Sequence, residues 1–228
     1  MDRRTWLEER RAAVELDYTT DAPDYETGNY PISDTHRAFV ARVVEQCPPD
    51  GIVLDVPCGT GRYFDLVVGQ GRRVVGADQS AGMVDQARSR GLAVSVEQTG
   101  LQELTYADAF DGVLCIDAME HIPPEDWPRV VHNLGRALRT GGFLYVTLEV
   151  LADQQAHVEE ALAEALARGL PAVPGEDVGE DTGGYHFYPS DEQVIRWLAD
   201  ARLAIAEDMT DLSYGDWGYR HLLIRHAR

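Results

Sequence analysis

Short apolar runs alternate with amphipathic stretches along most of the chain. Five of the runs are nearly continuous and have the length of buried β-strands. They cover residues 52–56, 73–78, 93–98, 110–117 and 143–150. The expected N-caps of the intervening helices are Ser33 or Asp34, Ser80 and Ser190, and Gly91 is an expected helix stop. Strands that alternate with helices at this spacing predict one α/β domain with a doubly wound, parallel sheet.

The two ends of the chain depart from this alternation. Residues 1–34 predict a helix and then a loop rich in turn formers and tyrosines, which we interpret as a lid-like segment. Residues 35–228 are predicted to form the single domain. Within it, residues 151–189 contain an Ala/Glu-rich helix and a flexible acidic loop, and we interpret them as a substrate-capping insertion. Residues 203–225 predict two strands joined by a short Gly-containing loop, which is an antiparallel hairpin.

Charge and composition exclude several function classes. The chain has 20 basic and 39 acidic residues, so a nucleic-acid partner would be repelled by most of its surface. All of the basic residues are arginine, which excludes lysine Schiff-base and P-loop chemistry. The three cysteines have no paired spacing, so neither a disulfide framework nor a zinc site is expected. No apolar run has the length of a membrane span and the N-terminus is charged, so we expect a cytoplasmic protein with no membrane partner.

The motif LDVPCGTGR ends the first predicted strand in a glycine-rich turn. In open α/β sheets, ligands bind beyond the carboxyl ends of the strands, where Gly59 and Gly61 lie. A dinucleotide fingerprint would have a third glycine where this chain has Phe64. Asp55 before the turn would repel a phosphate but attract an amino group or a sulfonium. The second strand ends at Asp78, where a carboxylate can accept the ribose hydroxyls of NAD and adenosine ligands alike.

Five motifs in order resemble those of the class I S-adenosylmethionine-dependent methyltransferases, over about residues 35–228. They are LDVPCGTGR, VVGADQSAGMVDQAR, FDGVLCIDAMEHI, GGFLYVTLE and the C-terminal hairpin. The resemblance implies a Rossmann-like, seven-stranded sheet with an antiparallel seventh strand. It also implies S-adenosyl-L-methionine as the cofactor. The acceptor would be a small molecule, methylated on O, N or C, and we favour a step of specialised metabolism.

The resemblance further implies which residues bind the cofactor. They are Asp55, Pro57, Gly59, Gly61, Asp78, Gln79, Met83, Gly100, Leu101 and Asp117. Asp55 and the glycine turn would hold the methionine portion, and Met83 would lie against the adenine. Many family members place an acid after the third strand, where this chain has Gly100. Adenine recognition is therefore expected from backbone atoms near Gly100 or from Gln98.

Methyl transfer is an in-line displacement that requires an aligned nucleophile and, for some acceptors, a proton acceptor. His121 and His186 are the candidate catalytic bases, although His121 is equally well explained as a residue that shapes its turn. His36 either faces the cofactor or only begins its helix. The candidate substrate-binding residues are Tyr25, Tyr30, Glu149, Tyr185 and Tyr188. We expect no metal, because a magnesium site at Asp117 and Glu149 would lack a third protein ligand.

Two alternative functions stay open at this point. One is an NAD-dependent oxidoreductase, against which Phe64 and the C-terminal hairpin argue. The other is a non-catalytic, cofactor-binding partner protein, against which the intact first and second motifs argue. The sequence does not predict an oligomeric state.

Overall fold

The computed structural model describes residues 2–28, 31–179 and 184–226. Nine strands lie in these ranges: β1 (Ile52–Asp55), β2 (Arg73–Asp78), β3 (Ser95–Gln98), β4 (Phe110–Cys115), β5 (Leu138–Leu151), β6 (Glu176–Val178), β7 (Tyr185–Phe187), β8 (Leu203–Asp211) and β9 (Trp217–His226). Seven of them form one sheet in the order β3-β2-β1-β4-β5-β9-β8. The first five run parallel, and β9 lies antiparallel between β5 and β8. This confirms the predicted doubly wound, Rossmann-like sheet with a C-terminal antiparallel hairpin.

Eight α-helices accompany the strands in the described ranges. They are α1 (Arg3–Asp21), α2 (Tyr25–Gly28), α3 (Asp34–Gln46), α4 (Phe64–Val68), α5 (Ala81–Ser89), α6 (Trp127–Ala137), α7 (Gln154–Ala167) and α8 (Asp191–Asp200). Each of the predicted caps Ser33, Ser80 and Ser190 accepts a hydrogen bond from a backbone N–H of the first turn of its helix. None of the helices in these ranges is long and apolar enough to cross a membrane.

Two apolar cores flank the sheet. One packs α3, α4 and α5 against it, with Phe39, Val43 and Phe64 almost fully buried. The other packs α6 and α8 on the opposite face, and Trp6 of α1 joins it. The sheet is therefore covered on both faces, as a parallel sheet requires. Its carboxyl edge, where β1, β2 and β4 end, is left for the site.

Two segments predicted as loops are partly regular. The loop expected from residue 17 continues α1 to Asp21 and then forms α2. The reason is tertiary: the Thr19 hydroxyl lies 2.9 Å from that of Ser80, so α1 packs on the start of α5. In the expected acidic loop, β6 pairs with β7, while residues 180–183 lie outside the described residues. The fully buried Glu176 explains this hairpin, because it accepts hydrogen bonds from Arg3 and Tyr185.

Candidate active site

A cleft opens at the carboxyl edge of β1, β2 and β4. Its free space is about 960 Å³ when the solvent at its open mouth is included. Eight of the ten predicted cofactor residues line it: Pro57, Gly59, Asp78, Gln79, Met83, Gly100, Leu101 and Asp117. Asp55 and Gly61 lie beneath its surface instead. The structure thus brings together residues that follow four strands, β1 to β4.

The two glycines of the turn have different surroundings. Gly59 has φ of +51°, and a Cβ placed there would meet no atom within 4 Å. Gly61 has φ of +79°, and a Cβ there would lie 2.6 Å from Cε2 of the buried Phe64. Both positions require a left-handed backbone, which glycine adopts without strain. Only Gly59 combines this with open space beside the cleft, whereas Gly61 allows α4 to pack closely.

Asp78 ends β2 with its carboxylate oriented by the backbone. Its Oδ2 accepts a hydrogen bond of 2.9 Å from the Gly59 N–H, and its Oδ1 accepts one of 2.8 Å from the Ser80 N–H. Burial raises the pKa of Asp78, and these N–H groups oppose the shift. Ser80, not Asp78, caps α5 through its hydroxyl. Asp78 therefore joins the glycine turn to the start of α5, and its carboxylate faces the cleft.

Asp55 is a buried carboxylate at the end of β1. It is 0% exposed, and neither of its oxygens has a hydrogen-bond partner among the described residues. Burial, with a contribution from the charge of Asp78, raises the pKa of Asp55 well above its ordinary value. Buried polar groups of this kind are normally satisfied by a partner, so the carboxylate fits a ligand or a bound water beside the turn.

The far end of the cleft is closed by an ion pair from α1. Arg11 donates to both carboxylate oxygens of Glu103, with Nη1 at 2.7 Å from Oε1. A Cβ at Gly100 would lie 2.6 Å from Nη2 of Arg11, so the glycine makes room for this pair. The buried Gln102 also lines the cleft here. No local sequence pattern predicts this ion pair or the position of Gln102, because Arg11 and Glu103 are 92 residues apart in the chain.

Helices α1 and α2 form part of the wall of the cleft. Tyr18 and Tyr25 line it, and the Thr60 hydroxyl donates to Glu26 of α2. The predicted lid residue Tyr30 lies outside the described residues. The N-terminal segment therefore contributes to the wall of the cleft, and its role as a lid stays a prediction.

His121 lines the cleft with both ring nitrogens engaged. Its Nδ1 lies 3.3 Å from the Tyr185 carbonyl oxygen, which only accepts, and its Nε2 lies 3.0 Å from the Tyr18 hydroxyl. This places the proton on Nδ1, so the Tyr18 hydroxyl donates to Nε2. Burial and the nearby His186 lower the pKa of His121 to about 4. The neutral ring thus links α1 to the end of β4.

The other acceptor-side residues named from the sequence form a cluster next to His121, whose ring centroid lies 5.2 Å from that of His186. The Tyr188 hydroxyl donates to Glu149 at 2.6 Å, and His186 Nδ1 lies 3.3 Å from the same oxygen. Burial opposes protonation of His186, but Glu149 outweighs it and raises the pKa of that histidine. Tyr185 packs edge-on against Trp6. None of these four predicted residues is among those lining the cleft in the described structure.

A second, smaller cavity adjoins the cleft. Its free space is about 350 Å³ out to its mouth, and we call it the aromatic chamber. Its walls are Pro31, Ile32, Ser33, His36, Arg62, Tyr63, Asp117, Tyr214, Trp217 and Tyr219. Arg62, Tyr63 and Asp117 line both spaces. The aromatic trio of Tyr214, Trp217 and Tyr219 was not among the predicted site residues, although the motif SYGDWGY carries three rings in six positions.

The described residues contain no group of three or more His, Cys, Asp or Glu side chains arranged to hold a metal ion. The cleft and the chamber instead combine backbone N–H groups, carboxylates and rings. Such a surface suits a nucleoside ligand with a positive centre beside a small organic molecule.

Sequence relatives point to one chemistry. A family model described as a methyltransferase domain matches residues 53–142, which contain the glycine turn, Asp78 and Asp117. The ubiquinone biosynthesis O-methyltransferase of Xanthomonas oryzae pv. oryzae (strain PXO99A) is 28% identical over 174 residues, which cover 74% of this chain and 68% of the relative. The protein of the same name from Xanthomonas axonopodis pv. citri (strain 306) is 26% identical over 179 residues, which cover 76% and 70%.

Solved structures share the fold. The 1,6-didemethyltoxoflavin-N1-methyltransferase of Burkholderia thailandensis, with 1,6-didemethyltoxoflavin and S-adenosylhomocysteine bound, has a TM-score of 0.70 at 15% identity and covers 97% of this chain and 90% of its own. Magnesium protoporphyrin IX methyltransferase from Synechocystis PCC 6803, with bound S-adenosylhomocysteine, has a TM-score of 0.66 at 18% identity and covers 96% and 100%. At these identities the likeness concerns the fold alone.

Proposed function

The chain belongs to the class I S-adenosylmethionine-dependent methyltransferases, and we propose that the cleft holds S-adenosylmethionine beside a small acceptor molecule. The observation that carries the proposal is the junction of two cavities at Asp117. The larger one has the glycine turn and the strand-end carboxylate of a nucleoside site. The smaller one offers space for an acceptor. A place in specialised metabolism and a cytoplasmic location stay predictions.

The residues around the cleft fit the cofactor. Asp78 would accept the ribose hydroxyls, because its carboxylate faces the cleft and keeps free lone pairs besides those used by Gly59 and Ser80. Met83 and Leu101 offer apolar surface to the adenine. The open position beside Gly59 admits the methionine portion close to the backbone. The orphaned carboxyl group of Asp55 would gain a partner in a ligand that carries a sulfonium and an amino group, and that positive charge would oppose the rise in its pKa caused by burial.

S-adenosylmethionine supplies an electrophilic methyl carbon next to its sulfonium. The contribution of the protein is to align the acceptor, exclude water and receive a proton where the acceptor carries one. Helices α1 and α2 would help to exclude water by covering the mouth of the cleft. A carboxylate such as Asp117, at the boundary of both spaces, favours a positive centre nearby.

The two rival functions are not favoured. A dinucleotide-binding motif has a glycine at the position of Phe64, which allows close packing under the turn. In this structure the Phe64 ring fills that space, and its Cζ would lie 2.7 Å from a Cβ built on Gly76. A non-catalytic role is not favoured either, since the chain matches a methyltransferase domain and relatives that are named as O-methyltransferases.

Calorimetric binding of S-adenosylhomocysteine and of NADH tests the proposal. Wild-type protein should bind S-adenosylhomocysteine and not NADH. Asp78→Ala should weaken that binding about ten-fold or more, because hydrogen bonds to a charged group contribute about 1.5–3 kcal/mol. Asp85→Ala, on the exposed side of α5, is the matched control and should bind normally. Binding of NADH alone, or full affinity in Asp78→Ala, would overturn the assignment.

A further inference from the structure

We propose that Gln102, oriented by Asp126, recognises the amino group of the adenine through its amide oxygen. The inference rests on the proposed function and deepens it, because it names the residue that selects the base of the cofactor. Three observations carry it. They are the lack of room for an acid at position 100, the position of Gln102 in the wall of the cleft, and the carboxylate that fixes the direction of its amide.

The order of the strands places the base of the cofactor at the end of β3. Strands β1, β2 and β3 are successive neighbours in the sheet, so the glycine turn, Asp78 and residues 99–102 lie in a row along one edge. Asp78 is proposed to bind the ribose, and the purine attached to that ribose therefore extends towards β3. Apolar surface for the purine is available there from Val14, Met83 and Leu101.

The backbone at Gly100 leaves no room for the acid that many family members carry at this position. A Cβ built there would lie 2.6 Å from Nη2 of Arg11 and 2.8 Å from Oε2 of Glu103. Glu103 does not replace that acid, because both of its oxygens are engaged by Arg11 and it is not among the described residues that line the cleft. The adenine amino group therefore needs a different acceptor.

Two other glutamines near this end are held by contacts of their own. Gln98 is exposed, and its amide nitrogen donates to the backbone carbonyl of Gln79 at 3.1 Å. It is not among the described residues that line the cleft. The amide oxygen of Gln79 accepts a hydrogen bond of 3.3 Å from Nε of Arg11. Gln102 is therefore the better candidate.

Gln102 is buried in the wall of the cleft. The residue is 7% exposed and lies in a short 3₁₀ turn, Leu101–Glu103. Nδ2 of Asn133 donates to the carbonyls of Leu101 and Gln102 at 3.0 and 3.1 Å, which holds the turn against α6. The amide nitrogen of Gln102 donates to Oδ2 of Asp126 at 3.4 Å, and no described residue donates to its amide oxygen. Buried polar atoms are normally satisfied, and an amino group of the ligand would supply the missing donor.

Asp126 sets the direction of this amide. A carboxylate only accepts hydrogen bonds, so the nitrogen of Gln102 faces Asp126 and the oxygen is turned away from it. In the described structure the Asp126 side chain does not cap α6, which it precedes, and its other oxygen accepts from Arg129 at 2.9 Å. The cleft is thus offered a fixed acceptor. Such an acceptor suits the amino group of adenine and opposes the carbonyl oxygen of a 6-oxopurine.

Titration calorimetry with the full-length protein tests the contact to the amino group. The ligands are S-adenosylhomocysteine and its analogue without the 6-amino group, which keeps every ring nitrogen of the purine. Wild-type protein should bind the analogue about ten-fold more weakly, because a buried acceptor then loses its partner. Gln102→Met, which keeps the length of the side chain, should bind the two ligands within about three-fold of each other. Gln98→Met should keep the preference of the wild type.

S-inosylhomocysteine, with a carbonyl oxygen in place of the amino group, tests the positioning role of Asp126. Asp126→Ala frees the amide to turn its nitrogen towards that oxygen. This variant should bind S-inosylhomocysteine at least about five-fold more tightly than wild type and should bind S-adenosylhomocysteine nearly as well. Arg129→Met removes only the exposed contact of the same carboxylate, so it is the matched control and should match the wild type with both ligands.

The outcomes separate this inference from the proposed function. Equal affinity of wild-type protein for S-adenosylhomocysteine and the analogue would overturn the inference, whether or not a variant folds. A preference that persists in Gln102→Met, or that is lost in Gln98→Met instead, would also overturn it. Equal weakening of S-adenosylhomocysteine and S-inosylhomocysteine in Asp126→Ala would reveal a structural role and remove the positioning role. Absence of S-adenosylhomocysteine binding in the wild type would overturn the proposed function itself.

Discussion

Substitution of Gly59 and of Gly61 by alanine should distinguish two roles of glycine in the turn. One role is to let the ligand approach the backbone, and the other is to allow close packing of the helix. Gly61→Ala forces a left-handed backbone on alanine, at about 1–2 kcal/mol, and drives its Cβ to 2.6 Å from Phe64. Overpacking a buried ring adds about 1–3 kcal/mol, because Phe64 has no room to move. Gly59→Ala carries only the backbone cost, since its Cβ meets open space. It should instead obstruct the ligand and weaken S-adenosylhomocysteine binding about ten-fold or more.

Urea unfolding and calorimetric binding measure the two effects separately. Gly61→Ala should lower the free energy of unfolding by about 2–5 kcal/mol with an unchanged m-value, and the folded fraction should bind the ligand normally. Phe64→Leu should relieve part of the Gly61→Ala loss, so the two changes should be less than additive. Equal destabilisation by both alanines would refute the packing argument. Wild-type affinity in Gly59→Ala would refute the close approach of the ligand.

Two further changes test the electrostatics of the fold. Burial, with the charge of Asp117, raises the pKa of Glu120 to about 8, so the folded protein retains a proton that the unfolded chain releases near its ordinary pKa. The free energy of unfolding should therefore fall by up to about 1.4 kcal/mol per pH unit between about pH 5 and 8, and Glu120→Gln should flatten this dependence in urea titrations at several pH values. An unchanged slope would contradict it. Arg3→Met should cost about 3–5 kcal/mol in thermal or urea unfolding, because it leaves the buried Glu176 without its cation. Arg4→Met, at a fully solvated position, should stay within about 0.5 kcal/mol, and equal losses would count against the buried pair.

The cofactor side of the site was predictable because its signals are local. The glycine turn directly follows β1, and Asp78 ends β2, so strand order alone brings them to one edge. Both lie at the cleft in the structure. The helix caps were predictable for the same reason, because Ser33, Ser80 and Ser190 each bond to a backbone N–H in the first turn of their own helix. The packing role of Gly61 was not predictable from the sequence, because it depends on the position of the Phe64 ring in the folded protein.

The acceptor side was less predictable because it is assembled from distant segments. Glu149 and Tyr188 hydrogen-bond to each other and are not among the described residues that line the cleft, so their contact with an acceptor stays a prediction. A strand presents successive side chains to opposite faces, so its end residue alone does not say which face meets the ligand. The helical continuation of the predicted lid has a similar cause, since it depends on packing against α5.

The sequence by itself determined the alternation of strands and helices. It also predicted the nucleoside type of the ligand and the edge of the sheet at which the ligand is proposed to bind, because each of these follows from neighbours within a few residues. The existence and the lining of the aromatic chamber depend on the tertiary structure. His36 begins α3, Asp117 follows β4 and Trp217 begins β9, and antiparallel pairing of β9 with β5 places the Trp217 end of that strand at the carboxyl edge. Contacts between segments so far apart in the chain leave no periodic pattern, since they depend on the register and twist of the assembled sheet.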